Sequence, residues 1–274
     1  MDFKIRNSRL FKTNLIFNET LPPNIILGSS RALTGIDTKL FCELTGKEWY
    51  NLSIDDTPIE THLLQYKLLV SQNKIPSVLL LQYDNTSNDN GINNNIHEKD
   101  YQFLPFNSMN NKELKEYITN KNAFEGYLFY YIPFWKYFYF STELLFAGLR
   151  SILQPDYQHR YFKHGDYAYP EGMENVSKPC SGKKSENINF SNNRFNELVK
   201  LCTKNNTKLI VYTAPYRCLN INSSRSSNNE AFSYFNYSQL IRENLDFHDE
   251  IHLSNLGKIK ITEIIAKELN SLLK

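Results

Sequence analysis

Short apolar runs alternate with amphipathic stretches through the first third of the chain. Buried strands are predicted at Asn24–Leu27, Trp49–Ile54 and Ser77–Tyr83, because each is a compact apolar run bounded by turn-forming residues. Helices are predicted at Thr34–Thr45 and from about Pro58, where apolar residues recur at helical spacing. Strands that alternate with helices and are apolar almost throughout are typical of a parallel sheet covered on both faces.

The same rhythm resumes in the last third of the chain. A helix around Phe195–Cys202, a strand at Lys208–Thr213 and a long final helix at Leu253–Leu273 are predicted. We therefore expect the α/β class, as a three-layer α/β/α sandwich with a parallel, flavodoxin-like sheet. The length favours a single domain over residues 1–274, with a large aromatic-rich insertion at about 85–187.

The insertion has two contrasting parts. Residues 84–100 are polar and rich in Asn, and they predict a loop. Residues 124–153 are concentrated in Tyr and Phe and predict a helical hairpin split near Pro133, with charged residues that argue against a membrane span. We expect Tyr127–Phe140 to form core and lid packing. The functional alternatives are a sugar-stacking or acyl-binding wall, or a patch that contacts a membrane or a partner.

Charge and cysteine content narrow the function classes. Lys+Arg 31 against Asp+Glu 29 leaves a net charge of +2, which argues against a nucleic-acid partner. The four cysteines show no CxxC or zinc-finger spacing, so we expect thiols, and a disulfide only if the protein is exported. The first twenty residues lack the apolar stretch of a signal peptide or anchor. The expectation is therefore a cytoplasmic protein, with an extracytoplasmic location at the cell envelope as the alternative.

Two polar clusters lie where predicted strands and helices meet. Ser30 follows the first strand in the turn Gly28–Arg31, where a serine is either a helix N-cap or an exposed nucleophile beside backbone N–H donors. Asp249 and His252 precede the final helix and are three residues apart, so at a helix start they can share a face. The carboxylate would then orient the imidazole. His248 competes for this role but lacks an acidic residue at that spacing.

In combination, the two clusters resemble the SGNH/GDSL hydrolase superfamily over most of the chain. ILGSSRALTGID resembles the family's first block, in which the serine of a Gly-x-Ser motif is the nucleophile, here Ser30. HDEIHLSNLG resembles its last block and gives Asp249 and His252. GSSRA followed by HLSNLG is also similar to the bacterial branch associated with envelope polysaccharides, found near acyltransferase genes.

The resemblance further implies an oxyanion hole, which two middle blocks of this chain match in outline. In YNLSIDDTPIE, Asp56 stands where the family has a glycine with a donating N–H, and its carboxylate would disfavour an oxyanion. After the third strand, Asp84 occupies the position of the family's donating Asn, and Asn85 could substitute for it. Arg31 could bind a substrate carboxylate, pair with one of the two aspartates or cap the turn.

The resemblance implies a serine-dependent enzyme that acts on acyl esters without a metal or another cofactor. Transfer of the acyl group to water would make it an esterase, and transfer to a sugar hydroxyl an O-acyltransferase. The implied substrate is an acylated glycan or another small ester, and the implied partner is a membrane acyltransferase. Two other hypotheses stay open: a catalytically degenerate protein that binds glycan or assists an acyltransferase, and a small-molecule binder of flavodoxin type.

Overall fold

The computed structural model describes residues 2–84, 100, 102–103, 106, 111–132, 142–169, 184–223, 226–228 and 231–273. The chain divides into two compact units. We call the first the helical unit, and it comprises Met1–Leu21, Leu63–Ile75 and Asp89–Arg160. We call the second the sheet unit, and it comprises Pro22–His62, Pro76–Asn88 and Tyr161–Lys274.

The sheet unit contains the strands found in the described residues. They are β1 Asn24–Leu27, β2 Trp49–Asn51, β3 Val78–Gln82, β4 Lys184–Asn187, β5 Lys208–Thr213, β6 Leu219–Asn222, β7 Ser226–Asn228 and β8 Ser233–Asn236. The main sheet has six strands in the order β2-β1-β3-β5-β8-β7, with β7 antiparallel at one edge and the other five parallel. β4 and β6 form a separate parallel pair. The order of the five parallel strands is that of flavodoxin-like folds.

The described helices fall into two groups: some flank this sheet, and others form the helical unit. They are α1 Asp2–Arg6, α2 Lys12–Asn18, α3 Ser30–Leu33, α4 Thr38–Thr45, α5 Ile59–Ser71, α6 Lys112–Lys121, α7 Ala123–Tyr131, α8 Thr142–Leu153, α9 Asn193–Lys204 and α10 Asn255–Leu272. A short 3₁₀ turn at Asn244–Asp246 precedes α10. None of the described helices is long and apolar enough to cross a membrane.

Alternate residues of the parallel strands pack against the two outer layers. On one face, Ile26, Leu80 and Ile210 belong to an apolar core shared with α4 and α10. On the other face, the ring of Tyr83 lies 4.6 Å from that of Phe195 on α9. Burial on both faces explains the uninterrupted apolar strands, and the predicted three-layer α/β/α fold is confirmed.

Several local predictions differ from the structure. The strand predicted at Trp49–Ile54 extends only over Trp49–Asn51. The single helix predicted at Thr34–Thr45 is wrong in its first turn, because the chain forms α3 and α4 with a break between them. Asp37 ends the break, since its side chain accepts a hydrogen bond from the Leu40 N–H at 3.0 Å and caps α4. The strand β8, which completes the parallel sheet beside β5, has no counterpart among the predicted strands.

The helical unit has a small core and an exposed apolar surface. Ile5, Phe11 and Ala147 pack together in a cluster formed by α1, α8 and the residues before α2. The core prediction for Tyr127–Phe140 holds for Phe129, which is buried, but it is wrong for the exposed Tyr127 and Tyr131. The remainder of that stretch, from Pro133 on, lies outside the described residues.

The cysteines divide into two states. Cys218 is disulfide-bonded, whereas Cys42 and Cys202 are free thiols. Cys180 lies outside the described residues. The thiol prediction therefore holds for Cys42 and Cys202 and is wrong for Cys218.

Candidate active site

The candidate site lies at the carboxyl ends of β1 and β3. The chain leaves β1 for β2 on one side and returns to β3 on the other, so the strand order reverses between β1 and β3. In open parallel sheets, a crevice that accepts ligands opens at this point. Ser30 follows β1 and Asp84 follows β3, so both predicted site residues lie at this crevice.

A tight turn places Ser30 at the start of α3. A Cβ atom on Gly28 would lie 2.6 Å from the Cβ of Ala32 and 2.7 Å from that of Gln82, so glycine alone allows α3 to pack this closely on β3. Ser29 is extended, and its carbonyl accepts the N–H groups of Ala32 and Leu33. Ser30 is therefore the first helical residue.

The three residues of the predicted triad lie together. His252 Nε2 is 2.8 Å from Ser30 Oγ, and His252 Nδ1 is 2.7 Å from Asp249 Oδ2. Because an ionised carboxylate only accepts hydrogen bonds, Nδ1 carries the proton and Nε2 accepts the Ser30 hydroxyl. The imidazole can thus remove a proton from Ser30 while Asp249 holds its orientation.

Asp249 and His252 lie in a loop before α10, not on the helix itself. The loop is closed by a bridge between Phe247 and Leu253, and Asp249 Oδ1 accepts the N–H groups of Ile251 and His252 at 2.9 and 2.8 Å. The expected helical face is therefore replaced by a turn that Asp249 itself stabilises.

The same contacts set the ionisation of Asp249. Burial raises the pKa of its carboxyl group, but hydrogen bonds from the His252 side chain and from the two backbone N–H groups outweigh burial and lower the pKa to about 2. Asp249 is therefore ionised at neutral pH and can stabilise a protonated imidazole.

The backbone N–H groups of Ser30 and Asp56 are the candidate oxyanion donors. Beyond β2, the N–H groups of Leu52 and Ile54 donate to the carbonyls of Ile26 and Gly28, so the chain follows the end of β1 as far as Ile54, two residues before Asp56. Asp56 in that turn has φ 52°, and its side chain is exposed to water, which screens its charge. Within the described part of the chain, neither the Ser30 nor the Asp56 N–H meets an acceptor.

Asp84 does not serve as an oxyanion donor in this structure. It is fully buried and forms an ion pair with Arg31, which is 4% exposed. Of the roles weighed for Arg31, the structure therefore shows the pairing with Asp84. The pair balances the buried carboxylate beside the nucleophile. Asn85, the other candidate donor on this strand end, lies outside the described residues.

Several further residues complete the site, and none of them had a predicted role. Gln82 accepts hydrogen bonds from Ser29 and donates to Asp84. After β5, the ring of Tyr216 lies 4.6 Å from the Arg31 guanidinium, and its hydroxyl accepts from Arg31. The next residue, Arg217, donates its backbone N–H to the Glu250 carbonyl at 3.2 Å. Tyr216 and Arg217 thus connect the nucleophile turn with the histidine loop.

An aromatic pair borders the histidine. Tyr169 stacks on His248, with ring centroids 4.2 Å apart, and meets the His252 ring edge-on at 5.5 Å. His248 therefore forms part of a wall beside His252, and only the latter contacts Ser30. Tyr169 belongs to a segment that showed no strand or helix pattern, so only the structure reveals it.

Comparisons with known proteins add no family assignment. No protein-family model matches the chain, and no curated protein matches it. Among the described residues, no group of three or more His, Cys, Asp or Glu side chains could hold a metal ion.

Proposed function

We propose that this protein is a serine-dependent acyl-ester enzyme with Ser30 as nucleophile, His252 as general base and acid, and Asp249 as the orienting carboxylate. The observation that carries the proposal is the continuous hydrogen-bonded chain from Asp249 through both nitrogens of His252 to Ser30 Oγ. A serine needs such a partner because its hydroxyl is a weak nucleophile at neutral pH.

The chemistry follows from these contacts. Ser30 Oγ attacks the ester carbonyl carbon as its proton passes to His252 Nε2, and the carbonyl oxygen becomes an oxyanion. The N–H groups of Ser30 and Asp56 stabilise that oxyanion. When the intermediate collapses, the C–O bond to the alcohol breaks and His252 returns the proton to the leaving oxygen. An acyl-Ser30 ester remains, and water or a sugar hydroxyl then takes the acyl group by the reverse sequence.

Two observations bear on the substrate class and the compartment. GSSRA and HLSNLG are similar to motifs of the bacterial branch associated with envelope polysaccharides. This similarity favours an acylated glycan as the substrate and a membrane acyltransferase as the partner. The disulfide at Cys218 favours the extracytoplasmic location, because disulfides persist in oxidising compartments. Alkylation of denatured, unreduced protein should therefore modify Cys42 and Cys202 and spare Cys218; modification of all three would contradict this location.

The alternative hypothesis of a catalytically degenerate protein depends on two acids, Asp56 and Asp84, near the expected oxyanion hole. The surroundings of both acids weaken that hypothesis. Arg31 balances Asp84, and Asp56 can offer a backbone N–H while its carboxylate is in water.

A fluorophosphonate probe tests the proposal directly. We expect one adduct on the intact wild-type protein, on Ser30 by peptide mapping, no adduct on Ser30→Ala, and labelling of His252→Ala slower by at least about 10³-fold. Ser271→Ala, which removes an exposed hydroxyl on α10, should label like the wild type. A folded wild-type protein that stays unlabelled, or equal labelling of Ser30→Ala, would refute the proposal.

A further inference from the structure

A network of side chains holds Ser29 and Arg31, the two residues on either side of Ser30. Gln82 Oε1 accepts the Ser29 N–H at 3.1 Å and the Ser29 hydroxyl at 2.9 Å. Gln82 Nε2 donates to Asp84 Oδ2 at 2.5 Å, and Asp84 pairs with Arg31. Two side chains from the end of β3 therefore hold the residues immediately before and after Ser30.

The network is buried throughout. Gln82 and Asp84 are both 0% exposed, and Arg31 is 4% exposed. Burial of an ion pair and an amide adds little net stability, because desolvation offsets most of the attraction and apolar residues of similar volume are often as stable. Stability alone is thus a poor reason for this arrangement, and its position around Ser30 points to a different role.

The contacts fix the direction in which Ser30 presents its N–H. The peptide before Ser29 is held by its N–H on Gln82, and the peptide after Ser29 by its carbonyl, which accepts from Ala32 and Leu33. In a trans peptide the N–H points opposite to the carbonyl. The Ser30 N–H must therefore point away from α3, where no described residue accepts it.

We propose that Gln82, oriented by Asp84, is a positioning residue that fixes the Ser29–Ser30 peptide for attack and for stabilisation of the oxyanion. Gln82 does not touch the substrate; it acts through Ser29. This inference rests on the proposed function. It assigns a role to Gln82, a buried strand residue that the sequence pattern predicts only as part of the sheet.

Gln82→Met tests the proposal, because methionine is similar in length and cannot bond to Ser29 or Asp84. The matched control is Gln65→Met, which removes an equally buried glutamine from α5. We expect the second-order rate constant for fluorophosphonate labelling to fall about 10–100-fold in Gln82→Met, as for a small misplacement of reacting groups. Gln65→Met should keep the wild-type rate.

Two further measurements separate positioning from a general loss of structure. With a p-nitrophenyl ester, kcat of Gln82→Met should fall while KM stays constant. The pH profile of labelling should keep its shape, because the described hydrogen bonds of Gln82 are to Ser29 and Asp84, and those of the His252 ring are to Asp249 and Ser30. If Gln82→Met does not fold, Ser29→Ala removes only the hydroxyl contact, and we expect a fall of about 3–10-fold.

The outcomes distinguish this proposal from the one on which it rests. If the wild type is labelled and folded Gln82→Met is labelled equally fast, the positioning role is overturned and the serine enzyme remains. Where only Ser29→Ala folds, equally fast labelling of that variant has the same meaning. Unlabelled wild type overturns both. An equal loss of rate in Gln65→Met would show that the effect is structural and would also overturn the positioning role.

Discussion

On the nucleophile side of the candidate site, Gln82, Asp84 and Arg31 are each at most 4% exposed and contact one another through their side chains. On the acid–base side, the Asp249 side chain is 38% exposed and is held by N–H groups of its own loop. One half of the site is thus built from buried polar groups of distant segments, and the other from a local turn at the surface.

This contrast separates stability from activity. A buried charge that loses its partner has no water to replace it, so the folded state pays the desolvation cost. A carboxylate at the surface can be rehydrated, and its removal changes mainly the orientation and charge of the group it contacts. Variants on the acid–base side should therefore lose mainly activity, and variants on the nucleophile side should lose both activity and stability.

The largest effect is expected from Asp249→Asn. Asparagine has one acceptor oxygen where Asp249 uses two, and its neutral amide cannot stabilise a charged imidazole as the carboxylate does. We therefore expect kcat/KM for a p-nitrophenyl ester to fall about 10³–10⁴-fold. The free energy of unfolding in urea should fall by only about 1 kcal/mol. The control is Glu250→Gln, an exposed acid in the same loop, which should keep near wild-type activity. If Asp249→Asn retained a tenth of the wild-type activity, the assignment of Asp249 as the orienting carboxylate would be wrong.

Arg31→Leu examines the other half of the comparison. It leaves Asp84 buried without its cation, so we expect the free energy of unfolding to fall by about 3–5 kcal/mol. The double variant Arg31→Leu/Asp84→Leu should recover much of that loss, because no unpaired charge remains.

The exposed pair of Lys39 and Glu43 on α4 provides the contrast. Their side chains are 74% and 60% exposed, so Lys39→Leu should change the unfolding free energy by no more than about 0.5 kcal/mol. Similar losses in Arg31→Leu and Lys39→Leu would erase the distinction between buried and exposed charges.

Most of the parallel sheet could be predicted from the sequence, but its last parallel strand could not. Apolar runs long enough to be buried on both faces predicted β1, β3 and β5 to within a residue at each end. β8, with the sequence Ser-Tyr-Phe-Asn, is short and polar at both ends, so its place beside β5 depends on tertiary pairing. Tyr127 and Tyr131 of α7 were expected in core and lid packing but are exposed, because composition does not distinguish a buried from an exposed aromatic face.

The candidate site divides in the same way. Ser30, Asp249 and His252 could be predicted because strand ends and spacing made them candidates, and the resemblance of their two motifs to a known hydrolase superfamily singled them out. Gln82 could not, because its contact with Ser29 spans 53 residues of sequence and an isolated glutamine on a strand carries no pattern. Local motifs thus indicate which groups could react, while the groups that hold them in place emerge only when distant strands pair.

Within the candidate site, the smallest expected effect is on acid stability, and it concerns the acid–base side alone. The pKa of Asp249 is lowered to about 2 in the folded protein, against about 3.9 for an unfolded aspartate. Its ionised form therefore stabilises the fold above pH 3.9, and this contribution is lost as the pH falls towards 2. Because the side chain is 38% exposed, solvent screening reduces the contribution to about 1 kcal/mol.

Urea unfolding of the wild type and Asp249→Asn between pH 5 and pH 2 measures this contribution. The wild type should be more stable at pH 5, and the difference should shrink by about 1 kcal/mol towards pH 2, because Asn has no carboxyl group to protonate. Glu250→Gln, in the same loop, should run nearly parallel to the wild type. A constant difference between wild type and Asp249→Asn would mean that the Asp249 carboxylate is not held by His252 in solution, and the acid–base half of the site would then need a different orienting group.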